Sequence, residues 1–114
     1  MGYSSLRFSF GRQISDTSAS CAAAKAGLLA LTRQAAMEAA PHGVRINAIA
    51  PSAIVTDRLA ALPESVRAGM ARNFPLRRLG EIADVTGAVL FLLGNRAGWI
   101  TGATLDVAGG KVML

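Results

Sequence analysis

Leu6, Phe8 and Phe10 alternate with Arg7, Ser9 and Gly11, a period-two pattern that predicts a short strand with one buried face. Arg12 to Ser20 then carries Ser, Thr and Asp side chains that compete for nearby backbone groups, so it reads as a loop. From Cys21 to Ala40 there is no proline and only Gly27 among many Ala, Leu, Lys, Arg, Gln and Met residues. These lose little freedom in a helix, which predicts one long helix, stopped by Pro41-His42-Gly43. Val44, Ile46, Ala48 and Ala50 alternate with Arg45, Asn47 and Ile49, predicting a second strand that ends at Pro51-Ser52. A long helix tied closely to a strand on either side is a βαβ crossover, which implies parallel strands.

Beyond Pro51, Asp57 to Phe74 reads as one or two short helices, with Pro63 at a helix start, and Pro75 to Gly80 as a linker. Ile82, Val85, Val89 and Leu92 fall at helical spacing and predict an amphipathic helix up to Gly94. A turn through Gly98, Thr101 and Gly102 leads to a last strand, Ala103 to Val107, followed by Gly109-Gly110. The pattern predicts an α/β unit of about three strands with flanking helices.

Composition narrows this to one domain over residues 1–114. The chain has 114 residues, 52% of them hydrophobic and 17% charged, which argues against disorder. Only 5% are aromatic, a mix that suits helices on strands better than an all-β sandwich. One Cys cannot form an internal disulfide, and one Cys with one His cannot build a zinc site, so no metal is expected and the cytoplasm is the default location. The longest apolar run, Ala88 to Leu93, is too short to span a bilayer, and no secretory signal is visible. The net charge of +5 comes from arginines scattered singly apart from Arg77-Arg78, so neither a nucleic-acid nor a membrane partner is expected.

Candidate chemistry is sparse. No G-x-G-x-x-G or G-x-x-x-x-G-K run cradles a phosphate, and His42 sits in a helix-terminating turn that suits capping better than a catalytic triad. Cys21 and Lys25 lie at i and i+4, on one face of the predicted helix. Two readings follow: a small buried Cys beside a solvated Lys, or a thiol made more reactive by a neighbouring ammonium.

The segment Ser18 to Pro51 resembles the active-site helix and following strand of the short-chain dehydrogenases/reductases, whose mark is Y-x-x-x-K and then R-[VI]-N-x-[IV]-x-P-G. The resemblance continues through Ala53 to Asp57, Leu79 to Val85 and Ile100 to Gly110, and covers about Arg7 to Gly110. It corresponds to the carboxy-terminal half of the family, and implies a partial Rossmann-like, doubly wound parallel sheet. It implies NAD(P)(H) as cofactor and hydride transfer between that cofactor and a small carbonyl or alcohol substrate. Lys25 matches the lysine that holds the nicotinamide ribose, Cys21 stands in the place of the catalytic tyrosine, and Ser9 is the candidate substrate-orienting serine. Pro51, Ser52, Ile54 and Thr56 match the segment along the nicotinamide, although Pro51 could simply end a strand and Thr56 cap the next helix.

The departures set further expectations. The Cys21 sulfur lies closer to the backbone than a phenol oxygen, and S–H is a weak donor. Ser52 replaces the glycine after the proline, and Ala108 an acidic residue before Gly109-Gly110. The mononucleotide half of the family, with its glycine loop, is not in these residues. The chain is therefore expected to be truncated relative to the family and poorly active, with weak or absent cofactor binding. Two readings stand: an NAD(P)-dependent oxidoreductase, with an amino-terminal half missing, or a non-catalytic relic or oligomerising assembly module. In either case bare sheet edges and apolar faces predict a homo-oligomer, a dimer or tetramer.

Overall fold

A computed structural model of the chain describes residues 18–113. Helix α1 spans Ala19–Ala39. It starts two residues before Cys21 because Ser18 caps it, its Oγ accepting from the Cys21 N–H at 3.3 Å. A single 3₁₀ turn, Ala40–His42, tightens its end, and Gly43 at φ +73° turns the chain out, a conformation that suits glycine. Strand β1 covers Ala48–Pro51, helix α2 Asp57–Ala60, helix α3 Glu64–Ala71, helix α4 Ile82–Leu93 and strand β2 Thr104–Val107. Pro63 stands at the N-cap of α3, the helix start that its fixed φ favours.

β1 and β2 pair in parallel, with Ala48 opposite Thr104 and Pro51 opposite Val107. The α/β expectation is met, with helices on both sides of the sheet. Ala48 and Ala50 face α1 and pack with Leu29, whereas Ile49 faces the other way and packs with Leu92 and Ala97. Neighbouring residues of one strand thus serve two cores, as a parallel sheet covered on both faces requires. Each fully buried aliphatic side chain contributes about 1.5–3 kcal/mol of transfer free energy.

Three expectations need correction or delimitation. The predicted strand at Leu6–Phe10 lies outside the described residues, so two strands of the expected three are described. The second strand is shorter than predicted, since Val44–Asn47 lies outside the ladder. Its alternation is also not one of buried and exposed faces: Asn47 is only 1% exposed, and Ile49 is buried too.

The reason lies in the hydrogen bonds of Arg45–Asn47. Asn47 Nδ2 donates to the Ile100 carbonyl, and its Oδ1 accepts from the Ala103 N–H, both at 3.0 Å. Arg45 donates to the carbonyls of Ile100 and Gly94, while Ile46 binds Thr101 and Gly102. The three residues before β1 therefore fasten the α4–β2 connection instead of extending the sheet.

Candidate functional site

The direction of α1 decides what its first turns can reach. Ala36, near its end, lies against Gly102 at the amino end of β2, its Cβ 3.5 Å from where a Cβ on Gly102 would stand. Leu29 packs on Ala48 and Ala50. The helix therefore runs antiparallel to the strands. Going back four residues from Leu29 to Lys25 climbs about 6 Å along the helix, and going on from Ala50 to Ser52 climbs about 6.6 Å along the strand. Lys25 thus stands level with Ser52 at the carboxyl ends of the strands, and Cys21 one turn beyond. Both side chains are half-buried.

Of the other predicted residues, Pro51 is buried at the end of β1, Ser52 and Ile54 are half-buried, and Thr56 is exposed. Thr56 occupies the N-cap position of α2 in extended conformation, but its hydroxyl makes no capping bond. Ser9 lies outside the described residues. The segment Ser52–Thr56 passes between two backbone partners. Ser52 N–H donates to the Val107 carbonyl at 3.1 Å, Gly80 N–H donates to the Ala53 carbonyl at 3.0 Å, and Val55 N–H donates to the Gly80 carbonyl at 2.8 Å. Ile54 and Gly80 form an isolated parallel bridge, which turns the Ile54 N–H the other way, where it has no partner among the described residues. A half-buried amide donor at the carboxyl end of a parallel strand fits a polar ligand group such as a carboxamide.

Beside this segment opens a cavity of about 370 Å³, lined by Ser52, Ala53, Phe74, Arg78, Asp84 and the run Asp106–Gly110, among others. Cys21 and Lys25 are not in its wall. The cavity flanks the helix-borne pair, and Ser52 is the sequence-predicted site residue common to both regions. Ala108 is buried in the cavity wall, where the family resemblance would place a carboxylate.

Polar residues not anticipated from the pattern sit at the cavity rim. Arg78 grips Asp84 through two bonds, Nη1 to Oδ2 at 2.7 Å and Nη2 to Oδ1 at 3.0 Å. Asp84 also accepts from the Glu81 N–H at 2.8 Å, completing a reciprocal cap at the start of α4. The Arg78 hydrogen bonds, with that from Glu81, pull the Asp84 carboxyl down to about 2, and Arg78 is correspondingly raised. The Glu-x-x-Asp spacing before an apolar helix was the available signal. Among the described residues there is no cluster of groups that could hold a metal, and no helix is long and apolar enough to cross a membrane.

Comparison with known proteins agrees with this fold. A family described as enoyl-(acyl carrier protein) reductase matches residues 5–111. Curated relatives include the 3-oxoacyl-(acyl-carrier-protein) reductases FabG of Staphylococcus epidermidis, 43% identical over 80% of this chain and 37% of that protein, and of Escherichia coli K12, 43% identical over 84% and 39%. The fold is similar to a crystal structure of 3-oxoacyl-(acyl-carrier protein) reductase from Brucella melitensis, with TM-score 0.86 and 32% identity over 99% of this chain and 42% of that one. It is also similar to a structure of ElxO, carrying a tyrosine-to-phenylalanine substitution and with NADPH bound, at TM-score 0.85 and 28% identity over 96% and 46%. The chain thus spans well under half the length of the curated relatives it matches.

Proposed function

This chain belongs to the short-chain dehydrogenase/reductase family, and from that premise we propose that it carries the nicotinamide-facing side of an NAD(P)-dependent oxidoreductase site acting on a small carbonyl or alcohol. The observation that carries the reading is the level of Lys25 with Ser52 at the carboxyl ends of two parallel strands, beside the outward-turned Ile54 N–H. Lys25 would hold the ribose, and Pro51, Ser52, Ile54 and Thr56 would lie along the nicotinamide. The cofactor, when bound, supplies or takes the hydride.

The proton is the weak point. Cys21 stands where the family carries a phenol, and its short S–H reaches less far and donates poorly. Ser9 would orient the substrate. The 114 residues hold no glycine loop for the pyrophosphate, so NAD(P)H binds weakly and turnover by this chain alone is poor. The absence of disulfide chemistry and of a spanning helix among the described residues is compatible with the cytoplasmic placement that belongs to this proposal.

Calorimetric titration with NADPH and NADH tests it. The expected dissociation constant is about millimolar, further weakened in Lys25→Met. Micromolar affinity would overturn the weak-binding claim, and no heat at millimolar cofactor would overturn the cofactor role.

A second reading, an oligomerising module, is favoured by one observation. Leu90, Phe91 and Leu93 on α4, Leu105 on β2 and Trp99 between them are exposed, Trp99 fully so. Apolar side chains in such number on one end of the chain suit burial against a second copy.

A further inference from the structure

We propose that the Leu79–Gly80 strap holds Ser52–Thr56 in its cofactor-facing shape, and that Gly80 is the positioning residue of that strap; the proposal rests on the reading that this segment lies along a nicotinamide. Pairing with β2 ends at Ser52 N–H to the Val107 carbonyl. From there the chain would run on as a loop free to sample several shapes, each at little cost. Gly80 takes it up instead, giving its N–H to Ala53 and its carbonyl to Val55 across a one-residue parallel bridge to Ile54. That pairing occupies one edge of the segment and leaves the Ile54 N–H on the edge opposite Gly80.

Glycine at position 80 lets the Ile54 side chain lie close against the bridge, and no left-handed φ is involved. A Cβ built on Gly80 would fall 2.5 Å from Ile54 Cδ1 and 3.4 Å from the Ala53 oxygen. The first distance is too short for any real pair of carbons, so an alanine here pushes the free end of the Ile54 side chain out of its place against the bridge. The far end of the strap is pinned as well. Leu79 is buried, Arg78 grips Asp84 and donates to the Leu79 carbonyl, and Glu81 N–H donates to Asp84. The first turn of α4, the strap and the Ser52–Thr56 segment therefore act as one mechanical unit.

The test compares Gly80→Ala with Gly87→Ala in this chain, by amide hydrogen exchange and by titration with NADPH; a Cβ on Gly87 meets no atom within 4 Å. In Gly80→Ala the Val55 amide is expected to exchange about ten-fold faster while the Ala50 amide keeps its protection, and NADPH to bind several-fold more weakly. Gly87→Ala is expected to behave as the parent in both. Unchanged Val55 protection overturns the proposal, and so does loss of protection at Val55 and Ala50 together, which would make Gly80 a general packing residue. If Val55 alone loosens but the parent chain gives no response to NADPH, the strap stands and the cofactor reading falls.

Discussion

Asn47 shows how one side chain can organise a connection remote in sequence. Its amide satisfies the Ile100 carbonyl and the Ala103 N–H, two backbone groups with no ladder partner at the entrance to β2. Asn47→Ala removes both bonds at a position without water access, so a loss of about 1–3 kcal/mol is expected from the midpoint of urea unfolding. A change of only a few tenths would mean that the turn finds other partners. The sequence carried no sign of this role: a polar residue that alternates with Ile46 and Ala48 reads as lying on the opposite face of a strand, not as a clamp on a distant turn. The Cys21–Lys25 spacing, by contrast, was readable at once, because i,i+4 geometry depends on nothing but the helix. What it left open was the level those side chains reach, which is set by how Leu29 seats on Ala48 and Ala50.

Among the elements, α4 shows how a helix end is built into a site. Arg78 and Glu81 converge on Asp84, whose carboxyl is held near 2 against an ordinary value of 3.8. A carboxyl with a depressed folded-state pKa stabilises the fold above its unfolded value, and that contribution drains away as pH falls through the folded one. The window here runs from about pH 4 down to about pH 2. Thermal midpoints of the parent and Asp84→Asn should therefore differ at pH 5–7, with the parent higher, and converge as pH approaches 2. The pair is partly exposed, 53% and 32% for the two side chains, so added salt should shrink the difference. A gap that persists at pH 2 would contradict the assignment to ionised Asp84. Helices α1 and α4 and strand β2 were legible to within a residue or two, because apolar spacing and glycine or proline stops mark them. Strand β1 was overextended, since Val44 and Ile46 continue its alternation while the Val44 N–H donates to the Ala39 carbonyl at the end of α1 and the Ile46 backbone serves the α4–β2 turn. The Pro75–Gly80 stretch reads as a linker by composition, and nothing local announces that its last residue pairs with Ile54.

For the whole molecule, two parallel strands are covered on both faces by α1 and α4, yet several large apolar side chains, Trp99, Leu90 and Leu105 among them, stay exposed. Such exposure favours self-association. Light scattering over a concentration series should show a dimer or tetramer, and a monomer throughout would count against the assembly reading. The family was readable from ordered short segments spread along the chain, because each marks a backbone turn or a side chain that the fold needs at one place. The activity of the chain was less readable, since Cys21 breaks the family pattern at the proton-transfer position. Lys25 and Ser52–Thr56 are proposed to face a nicotinamide cofactor. An NMR map of backbone amides and Ile methyls during NADPH titration tests it most directly. Shifts are expected to centre on Lys25, Ser52, Ile54 and Thr56 and to vanish in Lys25→Met; shifts confined to α4 and Trp99, or none at all, would rule that placement out.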